Sequence, residues 1–135
     1  MSKTENNLPD KLREAGIRVT VPRVRVYEYL INHRTHPTCD EIYSGLKESD
    51  NSLSLASVYN VTEVLAEKGL VREIVSPDGQ RHYDSVVDFH GHFFCKCCGR
   101  VIDVGCCDNF KLDDLSGCEV DSVSLIINGT CSNCL

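Results

Sequence analysis

Apolar residues recur at helical spacing through the first half of the chain and at strand spacing through the second. Residues 8–15 read as a short helix that ends at Gly16, a residue suited to a helix C-terminus. Thr20-Val21-Pro22 opens a second helix with a capping hydroxyl and a proline in its first turn, and Val24, Tyr27, Leu30 and Ile31 form its apolar face. Thr38-Cys39-Asp40-Glu41 is a capping box that starts a third helix, with Ile42, Tyr43 and Leu46 directed inward. After a polar linker, residues 54–68 predict a fourth helix ended by Gly69, with Val58, Val61, Leu65 and Ala66 on its buried stripe. The period then changes. Residues 71–75 are β-branched, 76–79 carry the turn chemistry Ser-Pro-Asp-Gly, and 80–83 return as a second strand.

Helices followed by a hairpin fit a winged helix-turn-helix, in which the last helix enters the major groove and the hairpin lies on the backbone. They equally fit an ordinary helical domain that ends in a hairpin. On the first reading, the 54–68 helix presents Ser57, Tyr59, Asn60 and Thr62 as groups able to bond bases or phosphates. Beyond residue 84 the pattern differs. Residues 92–95 and 100–104 predict strands around a cysteine-rich turn, 109–115 a short helix and 120–127 a further strand. So small a second half buries little core and calls for a metal staple or a partner. The fold class is α+β, with boundaries at 1–84 and 85–135.

Composition refines this picture in three ways. With 41% hydrophobic and 25% charged residues the chain is globular rather than disordered. No apolar run approaches membrane-spanning length, and the first 20 residues are polar and mixed in charge, which predicts a cytoplasmic protein without a secretion signal. The net charge of −6 conceals an asymmetry: residues 1–34 carry seven Lys and Arg against four acids. Phosphate responds to a local patch over about 8 Å, so this basic end is a candidate phosphate-facing surface despite the acidic whole.

Nine cysteines are too many for chance and odd in number, so in an intracellular protein they point to metal or redox chemistry. Cys95-Lys96-Cys97-Cys98 and Cys131-Ser132-Asn133-Cys134 form two C-x-x-C knuckles separated by 32 residues. Cys95 with Cys98 and Cys131 with Cys134 match a tetrahedral zinc site. An iron–sulfur cluster or a redox dithiol uses the same spacing, although the strand-like residues after Cys98 do not suit the helix N-terminus of a redox pair. A second constellation gathers His90-Gly91-His92 with Asp84, Asp103 and His36. Residues two apart on a strand share a face, so His90 and His92 can meet one ion. Mixed imidazole and carboxylate ligands suit Fe²⁺, Mn²⁺ or Zn²⁺. His33 and His82 read as ordinary polar surface residues.

The stretches 36–43 (HPTCDEIY), 56–60 (ASVYN), 67–71 (EKGLV) and 90–100 (HGHFFCKCCGR) resemble the ferric uptake regulator superfamily, in order and over nearly the whole chain. That resemblance implies a homodimeric, metal-responsive transcriptional repressor with an N-terminal winged helix on palindromic double-stranded DNA. It implies a C-terminal dimerisation half with structural zinc on Cys95, Cys98, Cys131 and Cys134. A regulatory Fe²⁺ or Mn²⁺ would use His36, Asp84, His90, His92 and Asp103, linking metal binding to DNA binding. DNA contacts would come from Tyr59 and its neighbours Ser57 and Asn60, supported by Arg13, Arg18 and Arg23.

Aspartate at positions 84 and 103, together with Asn60, resembles the peroxide-sensing (PerR) branch. There iron and hydrogen peroxide oxidise a ligand histidine, His36 or His90 in this chain. That resemblance implies sacrificial chemistry without turnover, and so a protein that is not an enzyme. An iron or zinc homeostasis regulator is the alternative within the family, and a thiol-based redox protein the alternative outside it. Cys39, Cys97, Cys106, Cys107 and Cys118 are additional to the family pattern; Cys39 and Cys118 read as buried small residues.

Overall fold

The computed structural model describes residues 7–88, 90–105, 113–121 and 123–135. It separates into two compact units, residues 1–87 and 88–135.

The first unit holds α1 (Leu8–Glu14), α2 (Val21–Asn32), α3 (Cys39–Leu46), α4 (Leu55–Glu67), β1 (Arg72–Val75) and β2 (Arg81–Asp84). The helix starts are written in hydroxyl caps. Thr20 accepts from the Arg23 amide, Ser54 accepts from the Ser57 amide, and Thr38 with Glu41 completes a reciprocal capping box. Each cap is worth about 1 kcal/mol. Leu12, Val26, Leu30, Ile42, Val58 and Leu65 are fully buried at the centre of one core, which Tyr83 joins from the hairpin. On α2 the buried face is Val26, Tyr27 and Leu30, while Val24 and Ile31 are only half-buried. The i, i+4 pair 26/30 displaces the expected stripe by part of a turn. β1 and β2 pair antiparallel, with Arg72 opposite Asp84 and Ile74 opposite His82.

The second unit holds β3 (Gly91–Cys95), β4 (Val101–Val104) and β5 (Ile126–Gly129), followed by a 3₁₀ turn over Ser132–Cys134. β3 is central, antiparallel to β4 and parallel to β5. The strand expected over 120–127 is realised only as β5: β3 has five residues, its first pairing to β5 is His92 with Ile126, and residues 120, 121 and 123–125 have no strand structure. Of the helix expected at 109–115, residues 109–112 lie outside the described residues. Asp113 to Leu115 are not helical, and the left-handed φ of +62° at Asp114 is incompatible with a right-handed helix. Among the described residues no helix is long and apolar enough to cross a membrane.

Candidate metal centres and nucleic-acid interface

His36 lies in the connection between α2 and α3, buried to 4% exposure, with a backbone φ of +57°. A left-handed conformation costs a non-glycine residue about 1–2 kcal/mol and persists only where its surroundings hold it. β2 does the holding. His82 Nδ1 donates to the His36 carbonyl at 2.8 Å, and the Tyr83 amide donates to the Pro37 carbonyl at 3.0 Å. Asp84, on the same strand face as His82, brings Oδ2 to 3.4 Å from His36 Nε2, while its Oδ1 accepts the Val86 amide at 2.9 Å. One carboxylate oxygen is therefore anchored and the other faces an imidazole. His82 is itself buried, so it is not the surface residue its sequence suggests. It shares with Asp84 the two-residue spacing that pairs His90 with His92, and that spacing was the available signal.

In the second unit, His90 and His92 flank Gly91 with their ring centroids 4.4 Å apart. Asp103 stands opposite His92 in the β3–β4 register, and its Oδ1 lies 3.2 Å from His90 Nε2 and 3.5 Å from His92 Nε2. His90 Nδ1 donates to the Asp88 carbonyl at 2.7 Å. A carbonyl only accepts, so Nδ1 carries the proton, and in the neutral ring Nε2 presents a lone pair toward Asp103. A lone pair facing a carboxylate oxygen requires a proton or cation between them, so this donor set fits a divalent ion. The glycine between the histidines is demanded by packing: a Cβ there would meet Leu125 Cδ2 at 2.9 Å.

The four knuckle sulfurs of Cys95, Cys98, Cys131 and Cys134 lie within 4.8 Å of one another. Cys98 and Cys131 sulfurs are 3.8 Å apart, and those of Cys131 and Cys134 3.5 Å. Four thiolates at ~2.3 Å from one zinc in tetrahedral array stand ~3.8 Å apart, so the set fits zinc. Backbone amides of Cys131, Cys97 and Cys98 donate to Cys95 Sγ at 3.3, 3.4 and 3.5 Å. With the Cys131 amide contributing most, they hold the Cys95 thiol down at about 6, a thiolate at neutral pH. The neighbouring thiols of Cys131, Cys97 and Cys98 push Cys134 up.

On the candidate nucleic-acid face, α4 leaves Tyr59 and Asn60 exposed and Ser57 half-buried, with Ser57 Oγ 2.8 Å from the capping Ser54 hydroxyl. Thr62 does not belong to this face. It is fully buried, its hydroxyl donating to the Tyr59 carbonyl at 3.0 Å and lying 3.3 Å from Cys39 Sγ. Position 62 falls on the 58–62–65 stripe, and local bonding satisfies the hydroxyl there. Arg13 is exposed and ion-paired to Asp10 at 2.8 Å, Arg18 is exposed, and Arg23 donates to the Arg18 carbonyl at 2.8 Å.

Cys39 is buried as expected, and burial pushes its thiol up. Cys118 is exposed, against expectation. Cys106 and Cys107 lie outside the described residues.

The model of the ferric uptake regulator family matches residues 14–122. The peroxide operon regulator of Bacillus subtilis is 35% identical over 129 residues, covering 93% of this chain and 89% of that protein. The Vibrio cholerae ferric uptake regulator structure matches with a TM-score of 0.69 at 26% identity, covering 93% of this chain and 99% of that one. The peroxide-sensing gene regulator PerR of Streptococcus pyogenes is 31% identical, with a TM-score of 0.54 and coverage of 96% and 91%.

Proposed function

The chain belongs to the ferric uptake regulator family, and from that premise we propose that it is a metal-dependent DNA-binding repressor that senses hydrogen peroxide by oxidation of a ligand histidine. The observation that carries this reading is the pairing of imidazole with aspartate in both units: His36 with Asp84, and His90 and His92 with Asp103. His90, His92 and Asp103 are a two-histidine, one-carboxylate set of the kind that holds Fe²⁺, and we propose, as the family resemblance implies, that His36 and Asp84 serve the same regulatory ion. Cys95, Cys98, Cys131 and Cys134 hold the structural zinc.

Residues 1–84 form the DNA-binding half and 85–135 the dimerisation half of a cytoplasmic homodimer on a palindromic operator. Tyr59, Asn60 and Ser57 face the bases, and Arg13, Arg18 and Arg23 the phosphates. Ligands drawn from both halves couple metal occupancy to the separation of the two winged helices, and so to operator affinity. Fe²⁺ supplies, when bound, the one-electron reduction of peroxide beside the ligand rings, which Mn²⁺ does not. His82 holds the backbone of His36, and the Asp88 carbonyl holds the ring of His90 with Nε2 toward Asp103. Oxidation of either ring removes a donor, weakens the site and releases the operator. Each event consumes a residue, so there is no turnover and the chain is not an enzyme.

Tandem mass spectrometry of anaerobically Fe²⁺-loaded protein, before and after about one equivalent of peroxide, tests the proposal, because the oxygen must be localised among nine thiols and Met1. Oxygen on His36 or His90, absent in the Mn²⁺-loaded control and accompanied by loss of operator binding in a gel-shift assay, supports it. Unmodified histidines refute it. Clean cysteines would then indicate a metal-homeostasis regulator, and oxidised cysteines a thiol sensor.

A further inference from the structure

The knuckle 95–98 offers three thiols where a four-sulfur ion site needs two, since Cys97 lies inside it. Cys95 and Cys131 are buried at 3% and 4% exposure, and Cys95 sulfur is enclosed by three amide donors. Cys97 and Cys98 are exposed and Cys134 half-buried, so an oxidant reaches the cluster from the side of these three. The Cys97 amide lies 3.4 Å from Cys95 Sγ, and the sulfurs of Cys95 and Cys98 on either side of Cys97 both lie within 4.8 Å of Cys134 Sγ, so residue 97 sits against the cluster. Cys97 and Cys98 are adjacent in the chain, and a disulfide between neighbours closes a small ring far from relaxed geometry. The accessible partner for Cys97 is therefore Cys134.

We propose that Cys97 is a resolving thiol built into the four-cysteine site, forming a disulfide with Cys134 under a hydroperoxide and opening the site. The inference rests on reading the four cysteines as the zinc site. Counted from two thiols, two S–H bonds are replaced by one S–S bond and two electrons pass to the O–O bond. Hydrogen peroxide leaves as two waters. Where Cys134 enters as a zinc-bound thiolate, solvent supplies the missing proton. Three sulfurs remain, too few for a closed tetrahedral site, and zinc is lost from the second unit. The chain thereby gains a second, thiol-based response that dithiol reductants reverse, alongside the irreversible histidine chemistry.

The test uses full-length, zinc-loaded protein with Mn²⁺ at the regulatory ligands, so that iron chemistry is absent. Hydrogen peroxide is the probe, zinc release is followed with a chromophoric indicator, and disulfides are mapped by non-reducing peptide mass spectrometry. The expected result is a Cys97–Cys134 link that forms with zinc release and reverses with dithiothreitol. Cys97→Ser and Cys97→Ala should begin with the same zinc content and release it severalfold more slowly. Equal release rates, or a link mapped to Cys95 and Cys98, overturn the proposal. So does loss of zinc from both variants before oxidant, which would make Cys97 a ligand. Wild-type protein that holds no zinc overturns instead the assignment of the four-cysteine site.

Discussion

His82→Leu isolates the support beneath His36, a proposed metal ligand. The substitution keeps an apolar side chain in a buried position but removes the donor that reaches the His36 carbonyl at 2.8 Å. Taking the donor from a buried carbonyl costs about 1–3 kcal/mol. The left-handed turn at His36 stores about 1–2 kcal/mol, so the lost bond is of the size that keeps the turn in place. For a unit the size of residues 1–87, a loss near 2 kcal/mol lowers Tm by about 8–16 °C. Hydrogen bonds that orient a ligand typically change metal affinity by about 10–100-fold. We therefore expect His82→Leu to weaken Mn²⁺ binding by about tenfold or more, measured by competition with a fluorescent chelator well below the variant's Tm. His82→Asn, whose amide can donate to the same carbonyl, should recover most of that affinity. A fall in Tm with unchanged Mn²⁺ affinity would refute the positioning argument, since the bond would then serve the fold alone.

Two further outcomes follow from the packing and the electrostatics. Gly91→Ala places a methyl 2.9 Å from Leu125 Cδ2, an overpacking worth about 1–3 kcal/mol that should appear in the thermal unfolding of the second unit. Adding Leu125→Ala removes the clashing atoms and leaves the next contact at 3.5 Å, so the double variant should lose less than the sum of the two single effects. Asp50 is held below the usual carboxylate range by the Ser52 hydroxyl and amide, with a lesser contribution from Arg25, and Asp78 by the Ser76 hydroxyl and the Gln80 amide. Both folded values are depressed, so their contribution is present above the ordinary value of about 3.9 and is lost as pH falls through the folded values. Urea midpoints of the wild type and of an Asp50→Asn, Asp78→Asn variant should converge as the pH falls below about 4, and parallel curves would show that these bonds carry no pH dependence.

Much of this was legible from sequence because the signals were local. Thr20, Thr38 with Glu41, and Ser54 each mark a helix start through a bond made within three residues, so no tertiary context was needed. Ligand types were equally local, written in the spacing of two knuckles and of His90 and His92. What escaped depends on distant partners. Burial of His82 comes from a carbonyl 46 residues away, and that of Thr62 from the thiol of Cys39 across the core. The late start of β5 at Ile126 follows its pairing with β3, whose first partner in the register is His92, and residues 120–127 do not encode it. The left-handed backbone at His36 has no sequence mark, since the following proline disfavours helical conformation without demanding this one.

Strand β3 carries both His92 and Cys95, only three positions apart, and at ~3.3 Å rise per residue their backbones are separated by ~10 Å. It pairs with β4 on one side and β5 on the other, and its last residue sits opposite Gly129, just before the second knuckle. An ion on the four cysteines would thus brace the strand that carries His92, one of the proposed regulatory ligands. On that arrangement, stripping zinc from the four cysteines should loosen β3 and weaken Mn²⁺ binding at the proposed regulatory ligands, which a chelator competition before and after zinc removal would measure.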